Sequence, residues 1–383
     1  MAAEIAVVSA SDYDDLAAFL ASFPAVRPAS SASWLECLRA WWDRNPAFDE
    51  SLPRGWVVRD AGRIGGFFGL LPLKFQVGED ERQAFGALHW YVLPAYRGRS
   101  LALRLRALDT QKHAIHFSTT PKPDRLPLLK RLGYQPIPRG PGTELQSHFI
   151  LDGRKFFAGP ARNPMLRGAG AVVAAPLLSA LQGLRTRELA RAADADVRDL
   201  ARADAAFDDL WQRTRRRYAN TNIRTAQLLN WYCFSIQPSD KKLLGFYEGG
   251  VLLGYMVLWL KREPTRQVIE CVDVWIDPAA GEARVLAALV AAAVRCARDA
   301  GFERVIFPHF TTTTAALYRR LGLLQGPRWT RREFFKAPPD LAGQIGVENS
   351  YFVWAQGEYG LSPKRDGIPA REAGAEHRSA QRG

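Results

Sequence analysis

The 383-residue sequence predicts an α/β (α+β) chain of two successive domains, each a mixed, mostly antiparallel sheet flanked by helices. Three observations predict it. Strand-like and helix-like runs alternate along the chain, the same order of runs occurs twice at long period, and 47% hydrophobic content over this length supplies two cores. The expected divisions are residues 1–152 and 195–362 for the domains, 153–194 for a partly helical apolar linker and 363–383 for a disordered polar tail.

The first half opens with two helix-like runs, Asp12 to Phe23 and Ser33 to Asn45. Strand-like runs follow at Gly55 to Gly62 and Arg63 to Pro72, around an Asp60-Ala61-Gly62 turn. A third β-rich run, Phe85 to Val92, feeds the most informative stretch of the chain, Val92-Leu93-Pro94-Ala95-Tyr96-Arg97-Gly98-Arg99-Ser100-Leu101-Ala102. A helical run continues to Asp109, then come a strand at Ala114 to Phe117 and a helix ending Leu128-Leu129-Lys130-Arg131-Leu132-Gly133-Tyr134.

Strand, short basic glycine turn and helix is a layout that predicts a pyrophosphate seat. Consecutive backbone N–H groups are expected to point out of the turn into one concavity, toward which the helix dipole is also positive. Gly98 leaves room for the phosphates, and Arg97 and Arg99 add charge at the mouth. The bland alternative is an ordinary strand-to-helix junction with basic residues on its solvated side.

The stretch resembles the acyl-coenzyme A loop of the GNAT acetyltransferase superfamily, V-x-P-x-x-R-G-x-G-x-G/A. Val92, Pro94, Arg97, Gly98 and Ala102 match it, while Ser100 stands where the family prefers glycine. The ending at Lys130, Leu132, Gly133 and Tyr134 resembles the family's Y-E-K-x-G-F signature, so the resemblance spans roughly residues 4 to 152. Leu129 departs from it, standing where many members carry a tyrosine that protonates the leaving thiolate.

The order then repeats. Two helix-like runs (Asp204 to Tyr218, Arg224 to Cys233) precede a hairpin around Glu248-Gly249-Gly250 and a strand from Gln267 to Asp277, closed by Pro278. An alanine-rich helix from Glu282 to Ala300 and a strand at Arg304 to Phe307 lead to Thr314-Ala315-Ala316-Leu317-Tyr318-Arg319-Arg320-Leu321-Gly322-Leu323, similar to A-x-x-L-Y-E-K-x-G-F. Setting Pro94 opposite Pro278 places Val92 opposite Ile276 and His89 opposite Asp273. The halves have complementary defects. The first has the basic turn and lacks the tyrosine; the second has Tyr318, but Ala279-Ala280-Gly281-Glu282-Ala283 replaces the turn.

The resemblance implies two tandem GNAT-like domains that move an acyl group, acetyl first of all, from acyl-CoA to an amine. The first half is expected to bind the coenzyme through Tyr91, Val92, Leu93, Arg97, Gly98, Arg99, Ser100, Leu101 and Ala102. In the family a backbone N–H of the strand before the loop serves the thioester oxygen, which here falls near Tyr91 to Leu93. His89, titrating near neutrality, is the candidate general base, and Tyr91 the nearest substitute acid. A packing role for a histidine on a strand is the commoner alternative. The counter-reading makes the second half the live one, with Tyr318 as acid and Asp273 as base. Two further classes stay open: a Fem-like aminoacyl transferase on a cell-envelope precursor, and a non-catalytic tandem scaffold. The acceptor is expected to be a small molecule or an envelope or polysaccharide precursor.

The net charge of +13 draws on runs such as Arg213 to Arg217 and Arg328 to Arg332. For Arg213 to Arg217 a solvated helix face is the favoured reading. The aromatic-spaced signatures of RNA modules do not occur, so nucleic acid is not an expected partner. Cys37, Cys233, Cys271 and Cys296 are scattered and read as reduced thiols, with no structural zinc site expected. Met1-Ala2-Ala3-Glu4 runs toward a strand with no basic-apolar-small cleavage pattern, which predicts a cytoplasmic chain. Residues 168–184 carry no charge, but with three glycines and a proline in seventeen residues they fall short of a bilayer span. A helical linker is expected there, with shallow contact at a membrane face, helped by flanking arginines, as the alternative.

Overall fold

The computed structural model describes residues 3–23, 29–158, 169–192, 194–263, 266–328 and 333–363; the predicted tail from 364 on and the basic residues 329–332 lie outside these. The first half runs β1 (Glu4–Val7), α1 (Tyr13–Ser22), α2 (Ser31–Trp41), β2 (Gly55–Asp60), β3 (Arg63–Val77), β4 (Asp80–Val92), α3 (Ser100–Thr110), β5 (Ile115–Ser118), α4 (Leu126–Arg131), β6 (Gln135–Pro136) and β7 (Leu145–Ile150). Three helices follow: α5 (Gly153–Ala158), α6 (Ala169–Arg185) and α7 (Arg187–Arg191). The second half runs β8 (Val197–Leu200), α8 (Ala205–Thr214), β9 (Asn220–Asn222), α9 (Ala226–Phe234), β10 (Lys241–Glu248), β11 (Val251–Glu263), β12 (Arg266–Ile276), α10 (Glu282–Asp299), β13 (Arg304–Pro308), α11 (Thr312–Arg320) and β14 (Leu324–Pro327). It closes with β15 (Phe334–Lys336), α12 (Pro339–Ala342) and β16 (Ser350–Tyr351). The repeat read from the sequence is present, and Pro94 and Pro278 each open a 3-10 turn directly after β4 and β12.

Two mixed, mostly antiparallel sheets result. The chain divides into two units, one of residues 1–72, 87–112 and 361–383, the other of 73–86 and 113–360, so β3 and β4 contribute residues to both. In the first unit β1 pairs antiparallel with β2, and β2 with β3. The β2–β3 hairpin turns through Ala61 and Gly62, both with left-handed backbone. Helix α2 starts where the Ser30 hydroxyl accepts the Ser33 N–H at 3.2 Å. It buries Trp34 and Trp41 completely, and Trp42 caps its end. Burial makes an unpaired indole N–H costly, and two of the three find acceptors: Trp41 donates to the Leu361 carbonyl and Trp42 to that of Leu70, each at 2.8 Å.

The second unit holds the remaining strand segments of the first sheet and the whole of the second. Strand β4 pairs parallel with β5 over Ala84–Gly86, and the second sheet repeats this with β12 and β13 over Val268–Glu270. The second sheet runs β14-β7-β13-β12-β11-β10-β8, antiparallel everywhere else. Helix α10 packs against it through a face of alanine and valine, from Val285 to Ala297, whose small side chains let the helix axis approach the sheet closely.

The expected division after residue 152 does not follow the sheets. Strand β7 belongs to the first half by position, yet it lies between β13 and β14 and pairs antiparallel with both. Reciprocally, β15 from the second half lies between β5 and β6. Each half donates one strand to the other's sheet. Residues 195–362 produced alone therefore leave β13 and β14 without the strand that joins them, and are expected to lack a cooperative thermal transition. Starting the chain at residue 140 restores β7 and should restore the transition. Cooperative melting of 195–362 alone, followed by circular dichroism, would contradict the exchange.

Candidate functional site

In the first unit the end of β4 and the basic turn form one structure. His89 interrupts β4 with φ of +32°, a left-handed conformation that a non-glycine residue holds at a cost and that tends to mark functional positions. Its imidazole lies among aromatic rings: Trp34 edge-on at 5.1 Å, Trp41 at 5.3 Å and Tyr91 stacked at 5.5 Å. Nδ1 is 3.3 Å from the Tyr91 hydroxyl, and the Tyr91 ring in turn meets Phe23 at 4.8 Å. His89 and Tyr91, proposed independently from the sequence, are thus in contact.

The turn is fixed by Tyr96. Its hydroxyl donates to Asp60 Oδ2 at 2.8 Å, and its ring covers Gly65 so closely that a Cβ there would come within 2.3 Å of it. The Leu93 N–H donates to the Gly65 carbonyl at 2.9 Å. Residues Pro94–Arg99 form a 3-10 helix that runs directly into α3, not the open turn the sequence suggested. The Ser100 N–H is already bonded to the Arg97 carbonyl, and the Trp90 indole donates to the Ser100 carbonyl at 3.2 Å. Coiling of this kind spends backbone donors internally, because Pro94 pre-sets the first helical φ and Tyr96 anchors the next turn. Arg97, Gly98 and Arg99 are exposed, and a Cβ on Gly98 would meet nothing within 4 Å. Val92 and Leu93 are half-buried, Leu101 is exposed and Ala102 half-buried.

In the second unit the corresponding strand is filled by the protein's own side chains. Strand β12 skips a residue at Val272, one position before Asp273, so the two halves are irregular at matching places. Asp273 is buried and accepts from Arg224 Nε at 3.1 Å, from Arg224 Nη2 at 3.3 Å and from the Tyr255 hydroxyl at 3.0 Å. Arg224 also donates to Thr221 Oγ1 and the Asn222 carbonyl and lies 4.3 Å from the Trp275 ring. The Tyr351 hydroxyl donates to the Val274 carbonyl at 2.6 Å. Burial pushes the Tyr255 and Tyr351 hydroxyls well above the ordinary phenol range. Tyr318 is fully buried beside Cys271, with its ring on Phe307 and His309, and burial likewise raises its pKa far above the usual value. A cavity of about 40 Å³, room for a water, touches Lys74, Asn222, Arg224, Tyr232 and Asp273.

Of the run Arg213 to Arg217, Arg216 is solvated as expected, while Arg213, also exposed, and Arg217, half-buried, are held by carboxylates. Arg213 Nε pairs with Asp277 at 2.7 Å, while Arg217 pairs with Glu282 and donates to the Ile276 carbonyl at 3.1 Å. They brace the junction between β12 and α10, whose acidic residues are thereby neutralised in place. Sequence reasoning missed Arg224, Tyr255 and Tyr351, which carry no motif and meet Asp273 and its strand only through the fold. It also passed over Tyr96, for which the Gly65-Gly66 pair is the available signal.

Residues 203–323 match the Acetyltransferase (GNAT) family model, covering the half without the basic turn. No curated protein sequence matches the chain. Among solved structures, the chain is similar to a GCN5-related N-acetyltransferase from Anabaena variabilis (TM-score 0.55, 12% identity, 88% of this chain and 74% of that one). It is similar to one from Kribbella flavida at TM-score 0.52, with 14% identity over 88% of this chain and 71% of that one. It is also similar to Saccharomyces cerevisiae N-myristoyltransferase, solved with myristoyl-CoA, at TM-score 0.54, with 12% identity over 92% of this chain and 85% of that one. The chain shares the fold of these three structures. Residues 203–323 are thus matched to the GNAT acetyltransferase family.

The Arg224–Asp273 pair generates a stability prediction. Arg224→Leu leaves the Asp273 carboxylate buried against Tyr255 alone and should cost about 3–5 kcal/mol, read from denaturant midpoints. Replacing both by leucine should cost clearly less than the single change. Equal or additive losses would mean that the two side chains do not act as a pair.

Proposed function

We propose that the protein transfers an acyl group from an acyl-CoA to an amine, with the thioester at the end of β4. The observation that carries this is His89, held with left-handed backbone and hydrogen-bond distance from Tyr91, on the strand that leads into an exposed Arg97-Gly98-Arg99 turn. The open space at Gly98 fits a diphosphate, and Arg97 and Arg99 would hold it beside the N-terminus of α3. Coenzyme A supplies an acyl carbon with a good leaving group. The chain's residues then have two tasks: His89 Nε2 accepts the proton of the attacking amine, and Tyr91, next to Nδ1, is the group nearest to return one to the departing sulfur. The acetyl group is the smallest acyl consistent with this scheme. The acceptor amine belongs to a small molecule or an envelope-polysaccharide precursor, and the reaction runs in the cytoplasm, where acyl-CoA is made.

A second reading is favoured by the family match over residues 203–323, which makes the second half live. Against it stand the side chains already on β12: Arg224 on Asp273, Tyr351 on the Val274 carbonyl, Arg217 on Glu282. Three variants separate the two. Gly98→Asp adds a carboxylate in open space without disturbing the fold, and should remove acetyl-CoA binding measured by calorimetry, with an unchanged melting midpoint. His89→Ala should slow turnover about 10²–10⁴-fold, whereas Tyr318→Phe should be nearly silent. Unaltered coenzyme affinity in Gly98→Asp, with a hundredfold or larger loss in Tyr318→Phe, would move the active site to the second half.

A further inference from the structure

Helix α6 is held by one face and bare on the other. Gln182 is buried and engages both backbone groups of Ile150, accepting its N–H at 3.0 Å and donating to its carbonyl at 2.9 Å. Thr186, also buried, donates to the Gln182 carbonyl at 2.7 Å. These contacts seat the helix over the end of β7. On the opposite face Leu177, Leu181 and Leu184 expose 58%, 43% and 59% of their surface. At 3.6 residues per turn they fall within about 60° of arc, with Ala180 and Pro176 exposed beside them. Single exposed leucines are unremarkable on a protein surface, but three in one helical stripe mark a contact with something apolar.

Charge selects what that contact is. From Gly153 to Arg191 the sequence carries six arginines and a lysine against the single acid Glu188. Arg154, Arg187 and Arg191 are exposed on α5 and α7, the elements that pack on α6, and Lys155, also exposed, lies 3.7 Å from Asp152. An apolar stripe set among cations matches an anionic bilayer surface, where leucines enter the headgroup–acyl boundary and basic side chains meet lipid phosphates. A transmembrane role does not fit: among the described residues no helix is long and apolar enough to cross a membrane.

We propose that α6 docks in the plane of an anionic membrane surface through Leu177, Leu181 and Leu184, with the flanking cations of α5 and α7 on the lipid phosphates. The inference is independent of which acceptor is acylated and of which half is catalytic. The test is co-sedimentation of the full chain with vesicles of phosphatidylcholine and phosphatidylserine in a two-to-one ratio, against vesicles of phosphatidylcholine alone. The protein should pellet with the anionic vesicles and be released by salt. Leu177→Asp/Leu181→Asp should weaken binding at least about tenfold, and Arg187→Glu/Arg191→Glu should remove most of the preference for phosphatidylserine. The changed side chains are exposed, so melting midpoints should hold; if the aspartates disturb folding, Leu177→Ser/Leu181→Ser replaces them. Failure to pellet with either vesicle, or equal binding by wild type and the leucine variant, overturns the proposal. So does light scattering that reports a dimer in wild type and a monomer in the leucine variant without vesicle binding, since the stripe then covers a second copy.

Discussion

The reciprocal exchange of β7 and β15 is the constraint on which the rest of the architecture depends. In each sheet a parallel strand pair (β4 with β5, β12 with β13) ends at an edge that the half's own next strand does not cover. The gap beside β13 is filled by β7 and the gap beside β5 by β15, each antiparallel on both of its sides. Filling it from the other half satisfies two rows of backbone donors and acceptors that would otherwise face solvent or a foreign strand. The cost lies in chain entropy, because Phe335 must find Phe117, and Ser147 must find Phe307. Contacts so distant in sequence form late, and they make each sheet's completion conditional on the other's.

Against that common frame, β4 and β12 use one backbone device in two ways. The strands become irregular within one residue of the aligned position, and both then reach a proline-started 3-10 turn and a helix. After the irregularity in β4 stand imidazole and phenol among indole rings, with an exposed basic turn beyond. After the irregularity in β12 stand a buried ion pair and two tyrosines bonded to it or to the strand. A buried Arg–Asp pair with its hydrogen bonds satisfied is a poor acid or base, since changing the charge of either member strands the other in a low-dielectric interior.

The periodic features were legible in the sequence and the pairings between distant segments were not. Strand and helix order, the repeat, and the alignment of Pro94 with Pro278 all follow from local patterns and turn residues. The fates of β7 and β15 could not be read, because strands this short, without polar–apolar alternation, specify neither an edge nor a register. Nor could the run Arg213 to Arg217 be assigned: a cluster of arginines looks the same whether it faces water or the Asp277 and Glu282 carboxylates that only the fold brings near. At the turn the sequence suggested a backbone that the fold does not have. Gly98 suggested an open loop, but Pro94 and the Tyr96–Asp60 contact favour a coil that continues into α3.

The use of arginine inside the molecule also changes what its charge means. A sequence-level net charge of +13 suggests a diffuse basic surface. In the fold several arginines are matched locally: Arg54 with Glu50, Arg59 with Asp12, Arg213 with Asp277, Arg217 with Glu282 and Arg224 with Asp273. Cations that brace carboxylates contribute little to the field felt by an approaching anion. The excess therefore concentrates where the sequence supplies almost no acids, at the Arg97–Arg99 turn and along Gly153 to Arg191. The first is a compact turn of two arginines around a glycine with open space beside it. The second is an extended band around an apolar stripe, a shape suited to a surface and not to a small ion. Geometry thus separates two kinds of basic surface that composition alone would merge.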